Sequence, residues 1–154
     1  MKKQCDQSKK EVDSFECSNY YIDPYRETTS ELNEVFPSKQ ASHLDMLLIV
    51  KDDGIGTTGA ALSGTLVINF FKSLAEKEPY PKVIIFMNRG ILLTIEDSSC
   101  LSSLRELESK GVLILSNFTC LDYHKVMDKL AVGGVTNMYN IVELMKLSKN
   151  TITL

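Results

Sequence analysis

The 154-residue chain has no tryptophan and no apolar run near the ~18 residues that a membrane span needs. It has no C-x-x-C pair. Its four cysteines, Cys5, Cys17, Cys100 and Cys120, are widely and irregularly spaced, so neither a zinc knuckle nor a thioredoxin-type dithiol is written here. It has no G-x-S-x-G nucleophile elbow, no carboxylate pair set for acid–base work, and no His/Asp/Glu cluster at metal-ligand spacing. No metal and no cofactor are expected. An excess of positive charge is also lacking. Lys and Arg number 17 against 20 Asp and Glu, a formal charge of -3, which gives no reason to expect nucleic acid or an anionic membrane as partner. No apolar stretch backs the opening Met1-Lys2-Lys3, so no secretory signal is expected. These features point to the cytoplasm, where cysteines stay as free thiols.

What remains is an ordinary composition, 44% hydrophobic and 24% charged, in a length that suits one domain with a sizeable core. Residues 1–43 hold charged and small polar residues with few aliphatics, broken at Asp23-Pro24 and Phe36-Pro37. This composition predicts an extended or partly ordered arm, with a short helix over 29–35 capped by Thr29 or Ser30. His43 reads as a linker residue.

From Leu44 onward the pattern is α/β. Apolar runs at 45–51, 82–87 and 112–116 predict strands covered on both faces. Helical spacing of apolar residues marks 60–77, ended by Pro79 and Pro81. A second helix runs through Leu101, Leu104 and Leu107, capped by Ser98 or Ser99 and closed by Gly111. Residues 91–94 suit a short strand or extended turn, 121–130 a helix, 131–135 a turn or short strand, 138–147 a helix, and 151–154 a final strand. Strands alternating with helices imply a Rossmann-like, mostly parallel sheet with right-handed crossovers.

Two stretches could carry chemistry. Gly54-Ile-Gly56-Thr-Thr-Gly59 matches G-x-G-x-x-G between a strand and a helix, the context of a dinucleotide loop. The second strand, however, ends in Asn88-Arg89 and not in the carboxylate that would hold a ribose hydroxyl. Arg89 would suit only a 2′-phosphate. Glycines serving a tight turn are the simpler reading, with a small anion at the helix start as the alternative. The second stretch is Cys120, just after the third core strand, where the dipole and free N–H groups of a helix start favour a thiolate. His124 lies four residues on, on the same face of a helix that begins by Cys120. Asp122 opposes the thiolate. The alternative is an inert thiol packed at a helix start. Cys100, in the first turn of an amphipathic helix, reads as a packing residue.

The run from Leu115 through Ser-Asn117-Phe-Thr119-Cys120-Leu-Asp-Tyr-His124, continued by Leu130-Ala-Val-Gly-Gly-Val-Thr-Asn-Met-Tyr-Asn-Ile-Val-Glu143, resembles the signature of YedF-type, sulfurtransferase-like selenium-metabolism proteins. The resemblance is to their DsrE-like C-terminal domain, in which the run reads approximately C-G-T-C-L-D-Y and then K-L-A-V-G-x-V-T-N-M-Y. Lys82–Thr94 resembles the middle of that domain, so the likeness covers about residues 45–154. It implies a DsrE-type α/β fold, assembly into a homo-oligomer (a trimer or larger), and sulfur carried as a cysteine persulfide. A TusA-like protein or a cysteine desulfurase would be the donor. The C-P-x-P motif of an N-terminal TusA-like domain is missing. The first cysteine of the family's C-G-T-C is Asn117 here, and its glycine is Phe118. In the sulfur-carrying relatives the active cysteine directly follows this strand, a place that aligns better with Asn117 than with Cys120. The candidate acceptor left in this chain is Cys120, with Asn117, Thr119 and His124 as supporting residues. The alternative is a homo-oligomeric binding module that has lost the reactive cysteine.

Overall fold

The computed structural model describes residues 43–57 and 59–154. The arm expected over 1–43, its capped helix, Cys5, Cys17 and Thr58 lie outside the described residues, apart from His43. That residue is not a linker but opens the first strand, with its ring edge-on to Tyr80.

Five parallel strands form one sheet. They are β1 (His43–Val50), β2 (Tyr80–Phe86), β3 (Leu113–Asn117), β4 (Gly134–Thr136) and β5 (Asn150–Thr153). Their spatial order is β4-β3-β2-β1-β5. Every pairing is parallel, with Leu48 beside Ile84, Ile84 beside Ile114, and Ser116 beside Val135. The expected Rossmann-like parallel fold is what forms.

The reason lies in the apolar runs. A parallel strand in mid-sheet is covered on both faces, so it needs apolar residues at consecutive positions. Val83, Ile84, Ile85 and Phe86 of β2 are fully buried. Alternation sends Ile84 and Phe86 to one face and Val83 and Ile85 to the other. The first face is covered by α1 (Ala60–Glu76), through Val67, Phe71 and Ala75, and by α2 (Leu101–Ser109), through Leu104 and Leu107. The second face is covered by α4 (Met138–Leu147), through Ile141 and Leu144. Full burial of each such side chain contributes about 1.5–3 kcal/mol.

Ends of elements follow local chemistry. Gly111, at φ 88, closes α2 in a Schellman pattern: Val112 N–H reaches the Leu107 carbonyl and Gly111 N–H that of Glu108. The Lys110 ammonium bonds the Ala75 carbonyl at 2.6 Å and Glu106 at 2.6 Å, tying the last turn of α1 to α2.

Two expectations are corrected. Residues 91–94 are neither strand nor extended turn but lie mostly in a 3-10 helix over Asn88–Leu93. Only Ile95 makes an isolated antiparallel bridge, to Leu130. The helix expected over 121–130 is instead the short α3 (Phe118–Tyr123), followed by a 3-10 turn at Met127–Lys129. Lys125 at φ 55 breaks the helical path between them.

At Gly90 the chain turns back against the end of β1. The Gly90 N–H reaches the carbonyls of Met87 (2.8 Å) and Lys51 (3.3 Å), and a Cβ here would collide with the Val50 carbonyl. The obstacle is backbone and cannot swing aside. Gly90→Ala should therefore lower stability by roughly 1–3 kcal/mol. The urea midpoint falls while the slope m stays unchanged; an unshifted midpoint would show that this close approach is not needed.

Candidate functional site

In a parallel sheet all strands end at one edge, and the turns that follow them are brought together there. At this edge the turn after β2 meets the start of α3. Met87 N–H bonds the Val50 carbonyl at 2.9 Å, which carries the ladder one residue past β2. Asn88 then takes a left-handed conformation, φ 48, one that asparagine adopts more readily than most residues. This turns its backbone N–H onto the Cys120 sulfur, at 3.0 Å.

Cys120 is placed by Asn117. Asn117 ends β3 with extended backbone and caps α3, its Oδ1 accepting from Cys120 N–H at 3.1 Å. Cys120 therefore stands in the first turn, half-buried against the α1/α2 side of the core, as a free thiol. Thr119 beside it is exposed.

His124 is the C-cap of α3, and its backbone N–H bonds the Cys120 carbonyl at 3.0 Å. Its ring lies edge-on to Tyr123, at 5.2 Å between centroids. Among the described residues no hydrogen bond joins the imidazole to the sulfur. The expected i, i+4 spacing forms, but the sulfur is directed to the Asn88 amide. Asp122 is engaged at the surface by Lys125, at 3.1 Å. The structure thus brings Cys120, Asn117 and the Asn88 backbone together, and leaves Thr119 and the His124 imidazole outside that set.

The glycine loop reads as a turn. Gly56 and Gly59 have positive φ, 85 and 70, and a Cβ on Gly54 would press on Ser63. Arg89 is committed to the carboxylates of Asp53 (2.6 Å) and Asp52 (3.3 Å), where it cannot serve a 2′-phosphate. Two carboxylates at the entry of the loop also disfavour an anion there. Cys100 is buried, and burial pushes its thiol up to about 11, as an inert packing cysteine requires. Among the described residues no group of three or more His, Cys, Asp or Glu is placed to hold a metal.

Three residues that sequence reasoning passed over belong to this edge. Asn88 was read only as the end of a strand, because its left-handed turn depends on the backbone of β1. Thr136 and Asn140 looked like ordinary positions in β4 and α4. Both are fully buried, as is Asn117, and Asn117 Nδ2, Thr136 Oγ1 and both amide atoms of Asn140 have no hydrogen-bond partner among the described residues. A buried polar atom left unpaired costs about 1–3 kcal/mol, so four together weigh heavily in a small domain. A faint signal existed: an asparagine immediately before each of two helices, at 117 and 137, is a cap pattern.

No protein-family model matches the chain. No curated protein matches it in sequence. Among solved structures, the crystal structure of the ychN protein from E. coli aligns with a TM-score of 0.55 and 14% identity, over 71% of this chain and 98% of that one. The chain has a DsrE-like fold. At that identity the likeness carries the architecture alone.

The Arg89 pair makes a pH prediction. Its hydrogen bond holds the Asp53 carboxyl below the usual carboxylate value. A depressed carboxylate contributes stability that is present above the ordinary Asp value and lost as pH falls through the lowered one. Both partners are partly exposed, so the gain is modest. Arg89→Met should raise the Asp53 midpoint in a carbon-detected NMR titration; an unmoved midpoint would mean that the pair does not form in solution.

Proposed function

We propose that this chain is a sulfur-handling protein in which Cys120 accepts sulfur as a persulfide. One observation carries the reading: a half-buried thiol at the carboxyl edge of a DsrE-like sheet accepts the backbone N–H of Asn88. A fixed amide aimed at sulfur stabilises negative charge there without needing a protonated side chain. The short α3 places Cys120 N–H on the Asn117 cap, so the sulfur is held by two backbone elements rather than by a mobile loop.

The chemistry is thiol exchange. The Cys120 thiolate attacks the terminal sulfur of a donor persulfide. A new S–S bond forms to Cys120 as the donor's S–S bond breaks, and the donor leaves as a thiolate. No net oxidation occurs. A TusA-like protein or a cysteine desulfurase in the cytoplasm fits the donor role; selenium in place of sulfur would follow the same exchange. His124 takes no part in this scheme. Intact-protein mass spectrometry after incubation with polysulfide, in a Cys5→Ser/Cys17→Ser background, should show a gain of one sulfur atom that Cys120→Ser abolishes. No gain at a dose that labels a known carrier would end this reading.

A second reading rests on a different observation. Asn117, where the family pattern has cysteine, is fully buried as a helix cap, which suits a non-catalytic homo-oligomeric binding module. Met138, Val142 and Met145 recur at i, i+4 and i+7 on the outer side of α4, each more than 40% exposed, and make an apolar stripe suited to a second copy of the chain. Light scattering should then report a trimer or larger, reduced by Val142→Glu; a monomer at all concentrations would remove the support from the stripe. Alkylation separates the two readings. In the folded protein of the same background, mildly alkaline iodoacetamide should label Cys120 at least tenfold faster than Cys100. Equal, slow labelling would favour the module.

A further inference from the structure

The unpaired polar atoms at the carboxyl edge are not scattered. Asn117 and Thr136 are direct partners in the β3–β4 ladder. Leu115, two residues before Asn117, lies in the core cluster under α4, and Val135, next to Thr136, lies in the opposite cluster. By strand alternation both Asn117 and Thr136 therefore face α4. Asn140 shares the buried side of α4 with Ile141 and Leu144. Its backbone N–H is already used by the Asn137 cap, at 2.9 Å, which pins the first turn of α4 over this corner. Asn117 Oδ1 is likewise used, by Cys120 N–H. That leaves the Asn117 amide nitrogen, the Thr136 hydroxyl and the whole Asn140 amide without a partner among the described residues, all on one face at one edge and all inaccessible to solvent.

We propose that Asn117, Thr136 and Asn140 form an internal binding site for water, which joins the first turn of α4 to the cap of the Cys120 helix. The donor set selects this ligand. None of the three residues is charged, so an ion would lose its hydration without compensation. Full burial leaves no opening for a larger molecule. A water molecule accepts two hydrogen bonds and donates two. It can accept from the amide nitrogens of Asn117 and Asn140 and donate to Thr136 Oγ1 and to Asn140 Oδ1 of the same corner, and a second water completes any remaining valence. The site also explains why an apolar position on α4 and one on β4 are replaced by polar residues in an otherwise aliphatic face.

The site is independent of sulfur chemistry and is tested without it. NOESY and ROESY spectra of the full chain should show cross-peaks between the water resonance and the side-chain amide protons of Asn117 and Asn140. Their sign should be that of a water tumbling with the protein, which separates them from chemical exchange. Thr136→Val keeps the shape and removes the hydroxyl; the cross-peaks to Asn140 should be lost while the backbone spectrum stays folded. Amide protons that are slow to exchange yet show no water cross-peak would overturn the proposal, because the side chains would then be bonding one another directly. Cross-peaks of undiminished intensity in Thr136→Val would overturn the three-residue site. If that variant fails to fold, the wild-type spectra decide alone.

Discussion

The burial of β2 on both faces is the constraint from which the rest follows. A strand with Val83, Ile84, Ile85 and Phe86 all inaccessible cannot lie at an edge. It must have neighbours on each side and helices above and below. β1 and β3 take the flanking places, α1 and α2 one face, and α4 the other. Because every strand is parallel, the end of β2 and the end of β3 arrive side by side. The contact between the Asn88 amide and the Cys120 sulfur is a product of that alignment. It joins residues 32 positions apart in the chain.

Much of this was legible in the residues. Three apolar runs marked β1, β2 and β3, and helical spacing marked α1, α2 and α4, because each of these elements buries a face large enough to impose its period on the sequence. Gly111 was readable as a helix stop for a purely local reason. The illegible parts are those set by tertiary contacts. The 3-10 helix at Asn88–Leu93 is apolar at Ile91 and Leu93 because it sits on the core, so its composition imitates a strand. α3 ends at Tyr123 because Lys125 is held left-handed, and nothing in the lysine itself announces that.

The candidate site divides along the same line. Cys120 could be located from the strand-to-helix pattern alone, and the turn role of the glycine loop followed from its failed fingerprint. The role of His124 rested on counting four residues along a helix. That spacing holds, with His124 N–H on the Cys120 carbonyl, but the sulfur meets the Asn88 amide and, among the described residues, no hydrogen bond joins it to the imidazole. Asn117 has two descriptions. Against the family pattern it is a missing cysteine; in the fold it is the oxygen that anchors the first turn holding Cys120. The second description follows from capping chemistry, because an asparagine immediately before a helix accepts from a first-turn N–H.

Among the described residues the sheet ends on both sides in short strands, three residues in β4 and four in β5. A short edge offers few open backbone groups to a passing chain, so strand addition from another chain has little to grip.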